Sequence, residues 1–109
     1  MLDKFEAFNN VDEDGNPTGG FAAGTGFHIE WQNGPLGRGE ERKEPNGAFV
    51  ETVIAAAQQR IEFYQKAAGG KFACTENAEA IGYLTSALYW LNLRTQKREA
   101  RGVEGTHEA

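Results

Sequence analysis

Arg94, Lys97, Arg98 and Arg101 recur at spacings of three and four, which on a helix aligns four cations along one side. Residues 93–101 carry a net +3 in a chain whose total is −5, leaving −8 on the remainder. Cations in the last turns of a helix complement its dipole, worth about 0.3–1 kcal/mol each. The stripe also has the chemistry of an anion site, because arginine forks match the paired oxygens of phosphate. A lone basic stripe on an acidic protein selects a small, multiply charged ligand over a polyanion. If the helices trimerise, three copies of Arg94 converge on one axis and suit phosphates spaced around a ring.

A second group is aromatic. Phe63 and Tyr64 close one helical pattern, and Phe72 with Asn77 opens the next, so all four surround one connection. An aromatic face stacks a nucleobase, and an asparagine bonds bidentately to the edge of adenine. Core aromatics and a first-turn asparagine would leave the same pattern, and both readings stand at this stage.

The remaining residues offer little chemistry. His28 and His107 are far apart, and no His-x-x-x-His or His-Cys cluster occurs. Cys74 precedes a helix start, where its thiolate would be stabilised, or it packs in the turn. One cysteine excludes an internal disulfide and a multi-cysteine zinc site. Gly34-Pro35-Leu36-Gly37-Arg38-Gly39 lacks the lysine and Ser/Thr of a phosphate loop. Gly24-Thr25-Gly26 precedes a strand rather than following one. Asp12-Glu13-Asp14-Gly15-Asn16 begins like a calcium loop but has Pro17 where the obligatory glycine belongs. All three read as turns. The expectation is a binder without catalytic residues, metal or cofactor.

The elements that must hold these residues follow from composition and period. At 109 residues the chain suits one domain, and 39% hydrophobic with 25% charged residues is globular. The acidic balance disfavours a polymeric nucleic-acid partner. No apolar run approaches membrane-spanning length and no signal pattern opens the chain, so a soluble intracellular protein without a membrane partner is expected. Most of the fourteen glycines and all three prolines lie in residues 15–47, separating a turn-rich first part from a helical second part. Residues 1–20 read as a loose acidic arm with a strand near Phe5 to Phe8. Phe27, Ile29 and Trp31 alternate with polar residues, a half-buried strand closed by Asn33-Gly34. A weakly marked return strand is placed over Leu36 to Lys43.

Asn46 is read as the cap of a first helix, with Val50, Val53, Ile54, Ala57, Ile61 and Tyr64 as its stripe through about Lys66. Gly69-Gly70 stops it, Thr75 caps a second helix striped by Ile81, Leu84, Leu88 and Leu91, and Gly102 ends that one. The fold class is α+β: a small N-terminal antiparallel sheet followed by an antiparallel two-helix hairpin. One domain over 1–109 comprises the arm (1–20), a β-rich region (21–45) and the hairpin with its tail (46–107). Apolar residues on more than one side of each helix predict self-association.

Phe72-Ala-Cys-Thr-Glu-Asn77, Ala87-Leu-Tyr-Trp-Leu-Asn-Leu-Arg-Thr95 and Arg98-Glu-Ala-Arg-Gly-Val-Glu-Gly-Thr-His107 resemble the helical hairpin shared by two phage counter-defence families, the Thoeris anti-defence sponges and the anti-CBASS sponges. Trp31-Gln-Asn-Gly-Pro35 and a first helix over Phe49 to Gln65 resemble the former, and the likeness spans about residues 26–107. The resemblance implies a protein that holds cyclic ADP-ribose isomers, the signals of Thoeris immunity, without degrading them. It also implies cyclic di- or trinucleotides of CBASS as a second ligand class. Dimers assembling into hexamers as trimers of dimers, at work in the host bacterial cytoplasm, are implied as well. By position, Tyr64 takes the place of the aromatic that stacks on adenine, with Phe63 and Phe72 beside it, and Asn77 that of the polar residue fixing the base. Arg94 and Arg98 take the places of arginines reaching trinucleotide phosphates, joined by Arg38 from its Gly-Arg-Gly loop. An enzyme hydrolysing the same signals and a structural hairpin of a phage are the alternatives.

Overall fold

Alternating Phe27, Ile29 and Trp31 form the strand that their period predicts, and in the computed structural model, which describes residues 1–109, it is the last of three. Strands β1 (Phe5–Val11), β2 (Pro17–Gly24) and β3 (Phe27–Trp31) make an antiparallel meander in the order β1-β2-β3. Two helices follow, α1 (Val50–Gly70) and α2 (Thr75–Ala100), which makes the fold α+β. The chain forms two compact units: a sheet unit of Met1–Phe49 with Glu99–Ala109, and a helical unit of Val50–Arg98. No helix is long and apolar enough to cross a membrane.

Residues 1–20, expected as a loose arm, supply β1 and the first half of β2. The pairing aligns Ala7, Ala22 and Ile29 on one face and Phe8, Phe21 and Glu30 on the other. Ala22 is the buried hydrophobic core of the chain. On the opposite face the Phe21 ring stacks with Phe8 and with His28, each at 6.3 Å between centroids. Two glycines permit this pairing. Gly20 has φ +137°, and a Cβ there would overlap the Phe8 carbonyl oxygen. At Gly24 the Phe5 and Phe27 rings close over the missing side chain, 6.2 Å apart.

The turns are built from Asp12 and from Thr25-Gly26. Asp12 Oδ1 accepts the backbone N–H of Asp14 and of Asn16, both at 2.9 Å, while Asp12 N–H donates to the Asn16 carbonyl at 2.9 Å. These bonds, the Asn16 N–H above all, hold the Asp12 carboxyl below its ordinary value of 3.8. Thr25-Gly26 joins β2 to β3 with Gly26 at φ +82°, so Gly24-Thr25-Gly26 follows a strand as well as preceding one.

The return strand expected over Leu36 to Lys43 is absent. That segment is a loop around a 3-10 turn at Gly39–Glu41, closed by Lys43 N–H donating to the Leu36 carbonyl at 2.7 Å. Ala48 takes the outer edge of β3 instead, donating to the Glu30 carbonyl at 2.7 Å and accepting from Gln32 N–H at 2.9 Å. Gly47 is needed beside it, since a Cβ would collide with the Trp31 backbone. Asn46 is not a helix cap: its Oδ1 accepts Asn33 N–H at 2.8 Å and its Nδ2 donates to the Asn33 carbonyl at 3.2 Å. Gln32 Oε1 accepts Asn46 N–H at 2.9 Å, completing an amide clasp between residues thirteen and fourteen apart.

In the helical unit one line of half-buried residues on α2 runs Asn77, Ile81, Leu84, Leu88, Leu91, Thr95 and Arg98, alternating steps of four and three, with Ala80, Ala87 and Leu93 beside it. On α1 the corresponding line is Ile54, Gln58, Ile61 and Gln65 rather than the stripe through Ala57 and Tyr64. Both glutamines bond across the hairpin. Gln58 Nε2 donates to Thr85 Oγ1 at 3.1 Å. Gln65 accepts Cys74 N–H at 2.9 Å and donates to the Cys74 carbonyl at 3.1 Å. Regular geometry in α1 lasts to Lys66, because Ala67 is extended and Ala68 (φ +51°) and Gly69 (φ +67°) are left-handed. Ala68 spends about 1 kcal/mol in that conformation. The α2 cap falls one residue before Thr75: Ala78 N–H donates to the Cys74 carbonyl at 3.2 Å, so Thr75 is the first helical residue. Gly102, at φ +75°, ends α2 by donating to the Glu99 carbonyl at 3.0 Å.

Two outcomes are expected. Gly20→Ala should abolish β1–β2 amide protection in hydrogen exchange, since strain plus overlap costs about 3 kcal/mol or more. Protection that survives in β1 would show that strand to be held without the close approach. Asp12, with its folded value depressed, contributes stability above its unfolded pKa and loses it as pH falls through the folded one. The melting difference between wild type and Asp12→Asn should therefore shrink on acidification below about pH 4.

Candidate functional site

The seven candidate residues fall into three places. Phe63 and Tyr64 occupy the last regular turn of α1, both exposed, with ring centroids 6.0 Å apart. The connection brings Phe72 and Asn77 to the same end of the hairpin, because the Gln65 amide clamps the backbone of Cys74. Phe72 is 56% exposed with Lys71 Nζ 5.3 Å above its ring, whereas Asn77 is half-buried at the head of the α2 seam. Cys74 is exposed, so its backbone, not its thiol, does the packing in this turn.

Arg94 and Arg98 lie toward the other end of α2. Asn77 and Arg94 are seventeen residues apart, a rise of about 25 Å along an α-helix. One chain thus carries an aromatic group at the hairpin's closed end and a cationic group far along the same helix. The two arginines differ in setting. Arg98 is half-buried on the seam and engaged, while Arg94 is exposed and makes no ion pair. Residues Glu51, Thr52 and Ala55 of α1 with Leu88, Asn92 and Thr95 of α2 line a groove of 480 Å³, to which Arg94 does not contribute. The Thr95 hydroxyl donates to the Leu91 carbonyl at 3.3 Å.

Arg38 belongs to the sheet unit. Its Nη1 donates to the Glu104 carbonyl at 3.2 Å, across sixty-six residues of sequence. Beside it Arg42 forks onto the Glu104 carboxylate with bonds of 2.7 and 3.0 Å, and Gly37 N–H donates to the Gly105 carbonyl at 2.9 Å. Gly105 is φ +80°, and a Cβ there would overlap the Gly37 carbonyl oxygen. The Arg-Gly-Val-Glu-Gly-Thr-His tail therefore latches the Gly-Arg-Gly loop. Glu104 holds the Arg42 guanidinium charged, first through its hydrogen bonds, and neutralises it.

The sequence reading missed Arg42, Glu104, Gln65 and Arg60. The first two are sixty-two residues apart and carry no local signal. Arg60 does have one, an arginine three and four residues before Phe63 and Tyr64. Its guanidinium carbon lies 5.1 Å from the Phe63 centroid and 4.9 Å from that of Tyr64, and its Nε donates to Tyr64 Oη at 3.1 Å.

Residues 25–96 match the family model described as Acb2/Tad1, hairpin domain. Over 80 residues, 73% of this chain, the sequence is 44% identical to Thoeris anti-defense 1 of Bacillus phage SBSphiJ7. The match covers 51% of that protein, so the chain spans about half the length of the curated relative.

The latch has a direct test. Glu104→Gln leaves one oxygen to accept from Arg42 and sets an amide donor against the other guanidinium nitrogen, so one bond is lost and the other loses its carboxylate charge. Amides of Gly37 and Lys43 should exchange faster in the variant, and high salt should accelerate exchange in the wild type more than in the variant. Equal protection in both proteins would assign the latch to its backbone bond alone.

Proposed function

This chain belongs to the Acb2/Tad1 hairpin-domain family, and we propose that it is a phage anti-defence sponge, binding cyclic nucleotide immune signals and releasing them unaltered. The observation that carries this reading is the placement of two unlike groups on one hairpin. Exposed Phe63, Tyr64 and Phe72 gather beside half-buried Asn77 at one end, and unpaired Arg94 stands far along α2. Flat aromatic surface with an amide at its edge suits an adenine ring. A cation without a carboxylate partner suits a phosphate. Tyr64 stacks the adenine of a cyclic ADP-ribose isomer, Asn77 fixes it, and Phe63 and Phe72 wall the site. Arg94 and Arg98 serve the phosphates of cyclic di- or trinucleotides, and Arg38 offers a separate cation in the sheet unit. The anti-defence role named for the Bacillus phage relative supports this reading.

Assembly is part of the proposal. Neither helix buries a residue within the chain, and Tyr83, Tyr89 and Trp90 are each more than 60% exposed. The occupant of that surface is a second copy of the chain: dimers, assembling as trimers of dimers, cover it and bring the arginines of several copies together. Preorganisation by assembly then raises the affinity that a sponge needs. No partner macromolecule, membrane or cofactor enters the scheme.

Incubation with cyclic ADP-ribose, heat denaturation and mass analysis of the supernatant should return the ligand intact; degraded product would replace the sponge by a hydrolase. Tyr64→Ala and Asn77→Ala should each weaken cyclic ADP-ribose about tenfold to a hundredfold, the range for loss of a stacked or bidentate contact. Arg94→Ala should instead weaken a cyclic trinucleotide while sparing cyclic ADP-ribose. Equal effects of every substitution on both ligands would overturn the two-site reading. Native mass spectrometry should show bound ligands in whole-number ratio to an even number of subunits, and a monomer with ligand bound would overturn assembly.

A further inference from the structure

Arg60 is the one arginine of α1, and its guanidinium is spent on aromatic rings instead of a carboxylate. It stands one turn before Phe63 and Tyr64, whose side chains lean back over it as helical side chains do. The guanidinium covers the Tyr64 face while Nε–H holds the phenol oxygen. On the other side, one turn earlier, stand Ala56 and Ala57, both exposed and both too small to block it. Arg60 therefore has a shelf onto which it can withdraw along its own helix.

We infer that Arg60 is a ligand-binding residue of the aromatic site, covering Tyr64 when the site is empty and turning onto a phosphate when a base stacks there. This rests on the reading of Tyr64 as the stacking platform. A base and a guanidinium cannot share one ring face, so a base that stacks on the face of Tyr64 that Arg60 covers displaces it. The displaced fork is then a free, fully charged group within a side chain's length of the base. It meets the phosphate of a nucleotide at low entropic cost, because its planar donors are already oriented. The ligand class follows: a purine nucleotide whose phosphate lies close to its own base plane, as in a cyclised dinucleotide, rather than a neutral nucleoside.

The full chain would be titrated with cyclic ADP-ribose by calorimetry and with adenosine by NMR. Arg60→Ala should weaken cyclic ADP-ribose at least tenfold and make its affinity less sensitive to salt. Adenosine, which has no phosphate, should bind the variant as well as the wild type or better, because the ring face is uncovered. Arg60→Lys keeps the charge without the fork and should fall between. Unchanged cyclic ADP-ribose affinity in Arg60→Ala, or equal loss of both ligands, would overturn the role of Arg60 while leaving the Tyr64 site standing. A wild type that binds neither ligand would overturn the site itself.

Discussion

Burial is the scarce commodity in this chain. Ala22 is its one buried hydrophobic residue, and neither helix has a fully buried position. Apolar area removed from water normally supplies most of the favourable free energy of folding. Here polar ties carry an unusual share of the specification. The Gln32–Asn33–Asn46 clasp secures the outer edge of β3, the Asp12 carboxylate organises the β1–β2 turn, and Gln58 and Gln65 bridge the hairpin. Such bonds fix geometry well but add only about 1 kcal/mol net apiece. The chain is thereby well defined in its polar geometry and short of buried apolar area.

The same shortage shapes the proposed ligand sites. Residues that a self-sufficient domain would bury, such as Phe63, Tyr64 and Phe72, stay at the surface, where a base can use them. Cations are treated selectively: Arg42 is neutralised by Glu104, Arg101 donates to the Ala109 carbonyl, and Arg94 is left without an ion pair. Charge not spent internally is available to a ligand, and most of the internal spending occurs in the sheet unit. Arg60 is a third case, set against the rings of Phe63 and Tyr64 rather than against a carboxylate.

Periodicity made the helices and β3 legible, since Ile81, Leu84, Leu88 and Leu91 or Phe27, Ile29 and Trp31 declare their spacing directly. β1 and β2 were hidden for a physical reason. Pro-Thr-Gly-Gly-Phe-Ala-Ala-Gly has weak strand propensity, and its glycines look like turn residues until the close approach of β1 explains Gly20. Asn46 looked like a cap because asparagine before an apolar run usually is one; its partner Asn33 is thirteen residues away. Local pattern and family likeness mark Asn77, Arg98, Tyr64 and Arg94 alike, and only the fold puts the first two on the seam and the last two off it. The Arg42–Glu104 fork needed the three-dimensional fold, since nothing in either local sequence names the other.

That fork joins residues on opposite sides of both helices, so the helical unit is an insertion within the sheet unit. On a ribosome the consequence is temporal. Helices form from neighbours and can settle as soon as Val50 to Arg98 has emerged, whereas the loop at Arg38 and Arg42 must wait for Glu104 and Gly105. The nascent chain therefore passes through an interval in which the hairpin and its aromatic end exist while the Gly-Arg-Gly loop is still unfastened. Whatever depends on Arg38 becomes available last.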